Sequence, residues 1–227
     1  MPIPPLTLGL RERQKAARRR AISDAATALF LERGFDAVTM AEVADAAGVS
    51  IKTIFNYFGS KEELFLDREA EMRALTIAAI TGRPPGASIT DGLLSLLVAH
   101  RVPSGGEGWE ALDDPARLEG FRCFLTTWQD STALRARHLL VQEQIAETLQ
   151  ETLGAELGLP ADDVRIRAMS MMLVAVMHER HRTLAHAVME GVSPAEIQRR
   201  VREIAVEAMG RVAAAFPDLD ARRPPDP

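Results

Sequence analysis

Two groups of side chains in this sequence have types and spacing that invite chemistry. The first is His178-Glu179-Arg180-His181, which begins like a metalloprotease zinc motif. That motif needs its second histidine four residues after the first, and Arg182 stands there. His178 and His181 could share a helix face and take a metal with a third ligand such as His138, but a pair of surface histidines is the commoner arrangement. Cys123 has no histidine or basic neighbour in sequence to lower its pKa, so it reads as an inert core thiol. Gly105-Gly106 lacks the following lysine of a phosphate-cradling loop. No enzymatic constellation is complete, and neither metal nor cofactor is expected.

The second group is Ser50, Lys52, Thr53, Asn56 and Tyr57, five hydrogen-bond donors within eight positions. Phosphate oxygens and base edges need such donors. Around them, residues 39–58 read TMAEVADAAGVSIKTIFNYF. Ala44 and Ala47 are small where two helices must cross closely, and Gly48 suits a tight turn. Val49 and Ile54 supply the apolar contact between the helices. This is the pattern of a helix-turn-helix, whose second helix enters the major groove. Ile51, Ile54, Phe55 and Phe58 are expected to pack in the core rather than touch bases.

The elements that must hold this motif are helical. From about Gln14, Ile22, Ala25, Ala26, Leu29 and Phe30 recur at spacings of three and four, and Gly34 ends the stripe. Thr39–Glu42 has the form of a capping box opening a short second helix. Ser50 or Ile51 starts a third, reaching about Phe58. Ser60–Glu63, a second box, opens a long fourth helix that could extend to Ile80. Further helices are predicted at 89–101, 115–129, 131–156, 161–189 and 194–215, the last introduced by Ser193-Pro194-Ala195-Glu196. Gly82–Gly86 and Pro103–Gly108 read as loops. No strand pattern is found, so the fold class is all-α with about nine helices.

Charge is unevenly placed. The chain has a net charge of −5, yet residues 11–20 hold six basic side chains against the single Glu12. Residues 67–227 hold 18 basic and 24 acidic side chains. A polyanion could be met at the N-terminal end and is repelled elsewhere.

The segment 22–68 resembles the tetracycline-repressor (TetR/AcrR-like) family of bacterial regulators. The likeness rests on ERGFDAVTM, AEVADAAGVSIKTIFNYFGSKEELF and above all the aromatic run Phe55–Phe58 followed by Ser60–Leu64. It implies an N-terminal three-helix DNA-binding domain and a C-terminal helical domain for effector binding and dimerisation. Thr39 would anchor a phosphate, or else only cap its helix. Ser50, Lys52 and Thr53 would read the groove. Asn56 and Tyr57 would bridge to bases or backbone, although Asn56 stands where relatives often carry an aromatic and Tyr57 could instead pack. Lys61 would meet a phosphate at the head of the fourth helix.

For the remainder of the chain the resemblance implies a ligand pocket. Its candidate walls are Met72, Leu97, Phe121, Phe124, Leu125, Trp128, Met169, Met172 and Leu173, which could equally be plain core. An unknown small-molecule effector, apolar or amphipathic, would favour a spacing of the reading heads that no longer fits a palindromic operator. Met169–Met177 is apolar on every face, so it should be buried on every face. Ile197, Val201, Ile204, Ala205, Ala208, Val212 and Phe216 form one stripe. The helices at 161–189 and 194–215 are therefore expected to pair with their symmetry mates in a homodimer.

The predicted organisation is a disordered arm at 1–13, a helix-turn-helix domain at 14–59, a helical effector and dimerisation domain at 60–216, and a disordered tail at 217–227. A Pro-broken, uncharged N-terminus does not read as a signal peptide, and no apolar run reaches the ~18 residues of a membrane span. With one cysteine, a cytoplasmic location is expected. The functional expectation is a ligand-responsive regulator, weighed against two rivals: an enzyme, and an architectural DNA binder without effector.

Overall fold

A computed structural model describes residues 9–67, 69–99 and 112–220 of the chain. These residues form ten helices: α1 (Leu10–Arg33), α2 (Met40–Ala46), α3 (Ile51–Phe55), α4 (Lys61–Phe65), α5 (Glu69–Thr81), α6 (Ile89–Ala99), α7 (Pro115–Asp130), α8 (Thr132–Leu157), α9 (Val164–Glu190) and α10 (Pro194–Ala215). Among the described residues there is no strand. The chain divides into two compact units, residues 1–67 with 126–135, and residues 68–125 with 136–227.

In the first unit, the helical spacing of α1 turns Ile22, Ala26 and Phe30 inward, all at most 1% exposed. Phe30, Phe35 and Phe65 gather there with ring centroids 5.0–5.8 Å apart. Val43, Ile54, Phe58 and Leu64 complete this core, each at most 1% exposed. Burying an aromatic or branched side chain of this size contributes roughly 1.5–3 kcal/mol.

In the second unit, a larger core joins Ile80 of α5, Leu93 and Leu97 of α6, Leu149 and Leu153 of α8, Met169 and Leu173 of α9, and Ala205 and Val212 of α10. A separate cluster holds Phe121 and Leu125 of α7 against Leu184 and Val188 of α9 and Ile197 and Val201 of α10. One buried charge is fully engaged. The Arg83 guanidinium donates to Glu156 and to the Ile80 carbonyl, each at 2.6 Å, and to Ala87 O at 3.2 Å. Such pairing is what allows a charge to leave water.

Several element ends differ from the sequence expectation. α1 begins at Leu10, so residues 10–13 are helix and not part of an arm; residues 1–8 lie outside the described residues. α3 stops at Phe55, with Asn56 as its C-cap, three residues short of Phe58. The long fourth helix is two helices, because Leu66 leaves helical geometry at φ −103° and ψ 38°. The tail is ordered as far as Asp220: Leu219 is 1% exposed, and Asp220 accepts from the Thr90 backbone and hydroxyl at 2.8 Å each. The expected loop at Pro103–Gly108 and the end of the tail, 221–227, lie outside the described residues.

Within the single chain, Met169–Met177 is buried on one side. Met169, Ser170, Leu173, Val174 and Val176 are buried in the chain, whereas Met171 and Met172 are exposed at 58% and 38%. One side of α9 faces the unit's own core and the other faces outward.

A candidate DNA-binding site

The site is built from three short helices whose starts are all fixed by side chains. Thr39 caps α2: its hydroxyl accepts from Glu42 N at 3.3 Å, and the Glu42 carboxylate accepts from Thr39 N and Oγ1 at 2.7 Å each. Arg33 adds an ion pair to the same carboxylate at 2.7 Å. The Thr39 donors, and then Arg33, hold the Glu42 carboxyl down at about 2. The turn after α2 uses Gly48 at φ 63°, a left-handed conformation that suits glycine, and Val49 N bonds Ala44 O at 2.9 Å to close it. Ser50 then caps α3, accepting from Thr53 N at 3.1 Å.

α3 presents two different sides. Ile54 is wholly buried at 0% and Phe58 follows it inward at 1%. Lys52 and Asn56 are exposed, and so are Ile51 and Phe55 at 44% and 54%. The expectation that Ile51 and Phe55 pack in the core is therefore corrected. A five-residue helix anchored only through Ile54 and the following Phe58 has no inner face left for them.

The sequence-predicted contacts are brought together in part. Ser50, Lys52, Thr53 and Asn56 lie within one turn and its caps, and Tyr57 is half-buried just beyond. Ser50 Oγ and Thr53 Oγ1 already share a hydrogen bond at 2.8 Å. Thr39 is engaged by Glu42, which is the capping alternative. Lys61, expected at a phosphate, donates instead to Phe35 O and Val38 O, each at 3.0 Å, and lies 4.4 Å over the Phe35 ring. Two of its three ammonium donors are thus turned inward.

One residue of this surface had no signal in the sequence. Arg19 of α1 donates to the Tyr57 carbonyl and stacks its guanidinium 4.0 Å above the Phe58 ring. It ties the middle of α1 to the end of α3.

In the second unit, the nine candidate pocket walls do not line one hollow. Leu97, Met169 and Leu173 belong to the larger core and Phe121, Phe124 and Leu125 to the smaller. Met72 is half-buried, Met172 is exposed, and Trp128 belongs to the first unit. A shallow hollow of about 260 Å³ is lined by Leu97, Val98, Val201 and, on its polar side, Gln198, Arg199 and Arg202.

The histidines suspected of metal ligation do meet, but around an amide. Gln142 Nε2 lies 3.0 Å from His138 Nε2 and 2.6 Å from His178 Nδ1, and the His138 ring is 6.2 Å from that of His181. Among the described residues no group of three or more His, Cys, Asp or Glu is placed to hold a metal. Burial, then the charge of His138, pushes the His181 imidazole down to about 4. Burial also lowers His138. Beside them, Arg180 is buried, donates from Nε to Leu97 O at 2.9 Å, and is lowered by desolvation to about 10.

A capped α2, a glycine turn and a donor-bearing α3 with one buried flank define a helix-turn-helix DNA-binding protein. Residues 22–67 match the family described as "Bacterial regulatory proteins, tetR family". TcmR of Streptomyces glaucescens, an HTH-type transcriptional regulator, is 28% identical over 157 residues, covering 68% of this chain and 67% of TcmR. AlkX of Mycobacterium tuberculosis, another such regulator, is 43% identical over 113 residues, which is 50% of this chain but only 43% of AlkX. The fold is that of SmeT in its triclosan complex, with TM-score 0.52 at 16% identity over 93% of this chain and 98% of SmeT. It is also that of NalD from Pseudomonas aeruginosa, with TM-score 0.50 at 20% identity over 86% and 96%. Residues 22–67 thus carry the DNA-binding segment of the TetR family, and over a longer span the chain is similar to HTH-type transcriptional regulators. Among the described residues no helix is long and apolar enough to cross a membrane.

Proposed function

We propose that this protein is a cytoplasmic repressor that binds a near-palindromic operator as a homodimer and is released by a small-molecule effector. The observation that carries the DNA reading is the outward flank of α3, where Lys52, Asn56, Ile51 and Phe55 stand exposed beside buried Ile54. Lys52, with Ser50 and Thr53 at the helix start, supplies donors for base edges and phosphates, and Phe55 and Ile51 supply apolar contact of the kind a thymine methyl accepts. Thr39, Asn56, Tyr57 and Lys61 would support phosphate contacts, the last through its one remaining donor.

The pairing reading is supported by the outer side of α9, where Val164, Met171 and Met172 are 76%, 58% and 38% exposed, and by Val206 on α10 at 47%. Two-fold pairing places recognition helices about 34–36 Å apart or a multiple of that. SmeT is seen with triclosan. On that analogy the second unit takes an apolar or amphipathic effector, with Met72, Leu97, Phe121, Phe124, Leu125, Met169 and Leu173 as walls that must part to admit it.

The test begins with selection of duplexes from a random-sequence pool by the purified protein. Fluorescence anisotropy should then show nanomolar-range binding to the recovered sequence. With ~6–10 phosphate contacts, affinity should fall by ~10³–10⁵ between ~50 and ~200 mM salt. Lys52→Ala should lose about tenfold or more. Recovery of no preferred duplex would end the reading. Met171→Glu should yield a monomer in sedimentation, since a charge cannot be buried there unpaired.

A further inference from the structure

The stripe that carries α1 into its core does not end where the core ends. Ile22, Ala26 and Phe30, at spacings of four, are at most 1% exposed. The same line continues toward the N-terminus as Arg18, Lys15 and Arg11, all exposed. Arg13 and Arg20 fall on the opposite side of the helix. Residues 11, 13–18 and 20 are exposed on every side, so these turns of α1 project beyond the body of their unit. Among the described residues no ion pair engages Arg11, Lys15 or Arg18. A helix polar all round has no packing reason to be there.

Arg19 fixes where this projection lies. Its guanidinium sits on Phe58 and its donor on the Tyr57 carbonyl, so the basic turns leave the domain beside the end of α3. From Arg19 back to Arg11 is about 12 Å of helix, the rise of three to four base pairs.

We propose that the exposed first turns of α1 are a second DNA grip, in which Arg11, Lys15 and Arg18 follow phosphates flanking the bases that α3 reads. This rests on the DNA-binding reading above and adds to it a contact that is indifferent to sequence. The grip lengthens the footprint and steepens the salt dependence without changing which sequence is preferred. An anionic membrane is a poorer fit. Interfacial helices need a broad apolar face, and residues 11–20 offer only Ala16 and Ala17.

The experiment compares the full-length protein with Arg11→Gln/Lys15→Gln/Arg18→Gln and with the opposite-face variant Arg13→Gln/Arg20→Gln. Anisotropy is read on the selected duplex, on the same duplex trimmed to the α3 half-sites, and on a random-sequence duplex. The stripe variant should keep its thermal midpoint and its ranking of sequences. Its slope of log affinity against log salt should fall by about 0.9 for each phosphate that is no longer neutralised. It should match wild type on the trimmed duplex and lose hydroxyl-radical protection in the flanks. The opposite-face variant should change the slope less. Equal slopes for stripe variant and wild type, or an equal fall for both variants, overturns the grip while leaving the α3 reading intact. Binding of wild type to phosphatidylserine vesicles, abolished in the stripe variant with the DNA slope unchanged, overturns it in favour of a membrane surface. Failure of every duplex to bind wild type removes both readings.

Discussion

Gly92 of α6 lies so close to Ala79 of α5 that a Cβ built on it would stand 2.2 Å from the Ala79 carbonyl oxygen. The helices can meet at this distance only because one of them presents no side chain. Gly92→Ala should therefore force them apart despite the better helix propensity of alanine. Overpacking of this kind costs roughly 1–3 kcal/mol, and urea denaturation would measure it. A stabilised variant would show that α5 and α6 separate freely.

Thr39→Ala removes the hydroxyl that serves both sides of the α2 cap. A loss of about 1 kcal/mol is expected from comparable caps, read as a lowered thermal midpoint. Glu42 is held at about 2 against an ordinary 4.5, so it binds protons more readily in the unfolded chain. Its contribution is complete above pH 4.5 and is lost as pH falls toward 2. In Thr39→Ala the acid unfolding curve should be shallower across that window.

The His181 imidazole behaves with the same sign at higher pH. Its folded value near 4 lies below the ordinary 6.5, so unfolding takes up a proton between them. Stability should be complete above pH 6.5 and decline as pH falls toward 4, by up to about 3 kcal/mol. His181→Gln should flatten the dependence across that range. An unchanged profile would mean that the ring is protonated in place.

Neighbouring residues of α3 should separate stability from binding. Ile54→Ala, at 0% exposure, should cost about 2–5 kcal/mol of folding free energy. Phe55→Ala, at 54% exposure, should stay within about 0.5 kcal/mol in stability yet weaken the selected duplex about tenfold. The reverse pattern would place Phe55, and not Ile54, against the core.

What could be read from the sequence was local. Thr39, Ser50, Ser60 and Ser193 each announce a helix start within three residues, and each accepts the expected backbone hydrogen bond. The stripe of α10 reads as a pairing surface, whereas Ile197, Val201, Ala205 and Val212 lie inward in their own unit's cores. The break at Leu66 was not legible because LFLDREAEM contains no glycine or proline to mark it. Exposure of Ile51 and Phe55 was hidden for another reason: five residues make little more than one turn, too few for a period to reveal a face. Lys61 reaching back to Phe35 and Val38, Arg19 reaching Phe58, and Gln142 reaching His178 all join positions whose separation carries no pattern. The walls assigned to an effector pocket were chosen by apolarity, which the interior of any helical bundle shares.

The joint between Asp220 and Thr90 spans 130 positions of chain. A ribosome releases residues in order, so α6 must wait, the Thr90 amide unanswered and the Leu219 slot unfilled, until position 220 has emerged. Maturation of this part of the molecule is thereby deferred until that stretch is free, and nascent chains halted before Leu219 are the ones that quality-control proteases should find unfinished.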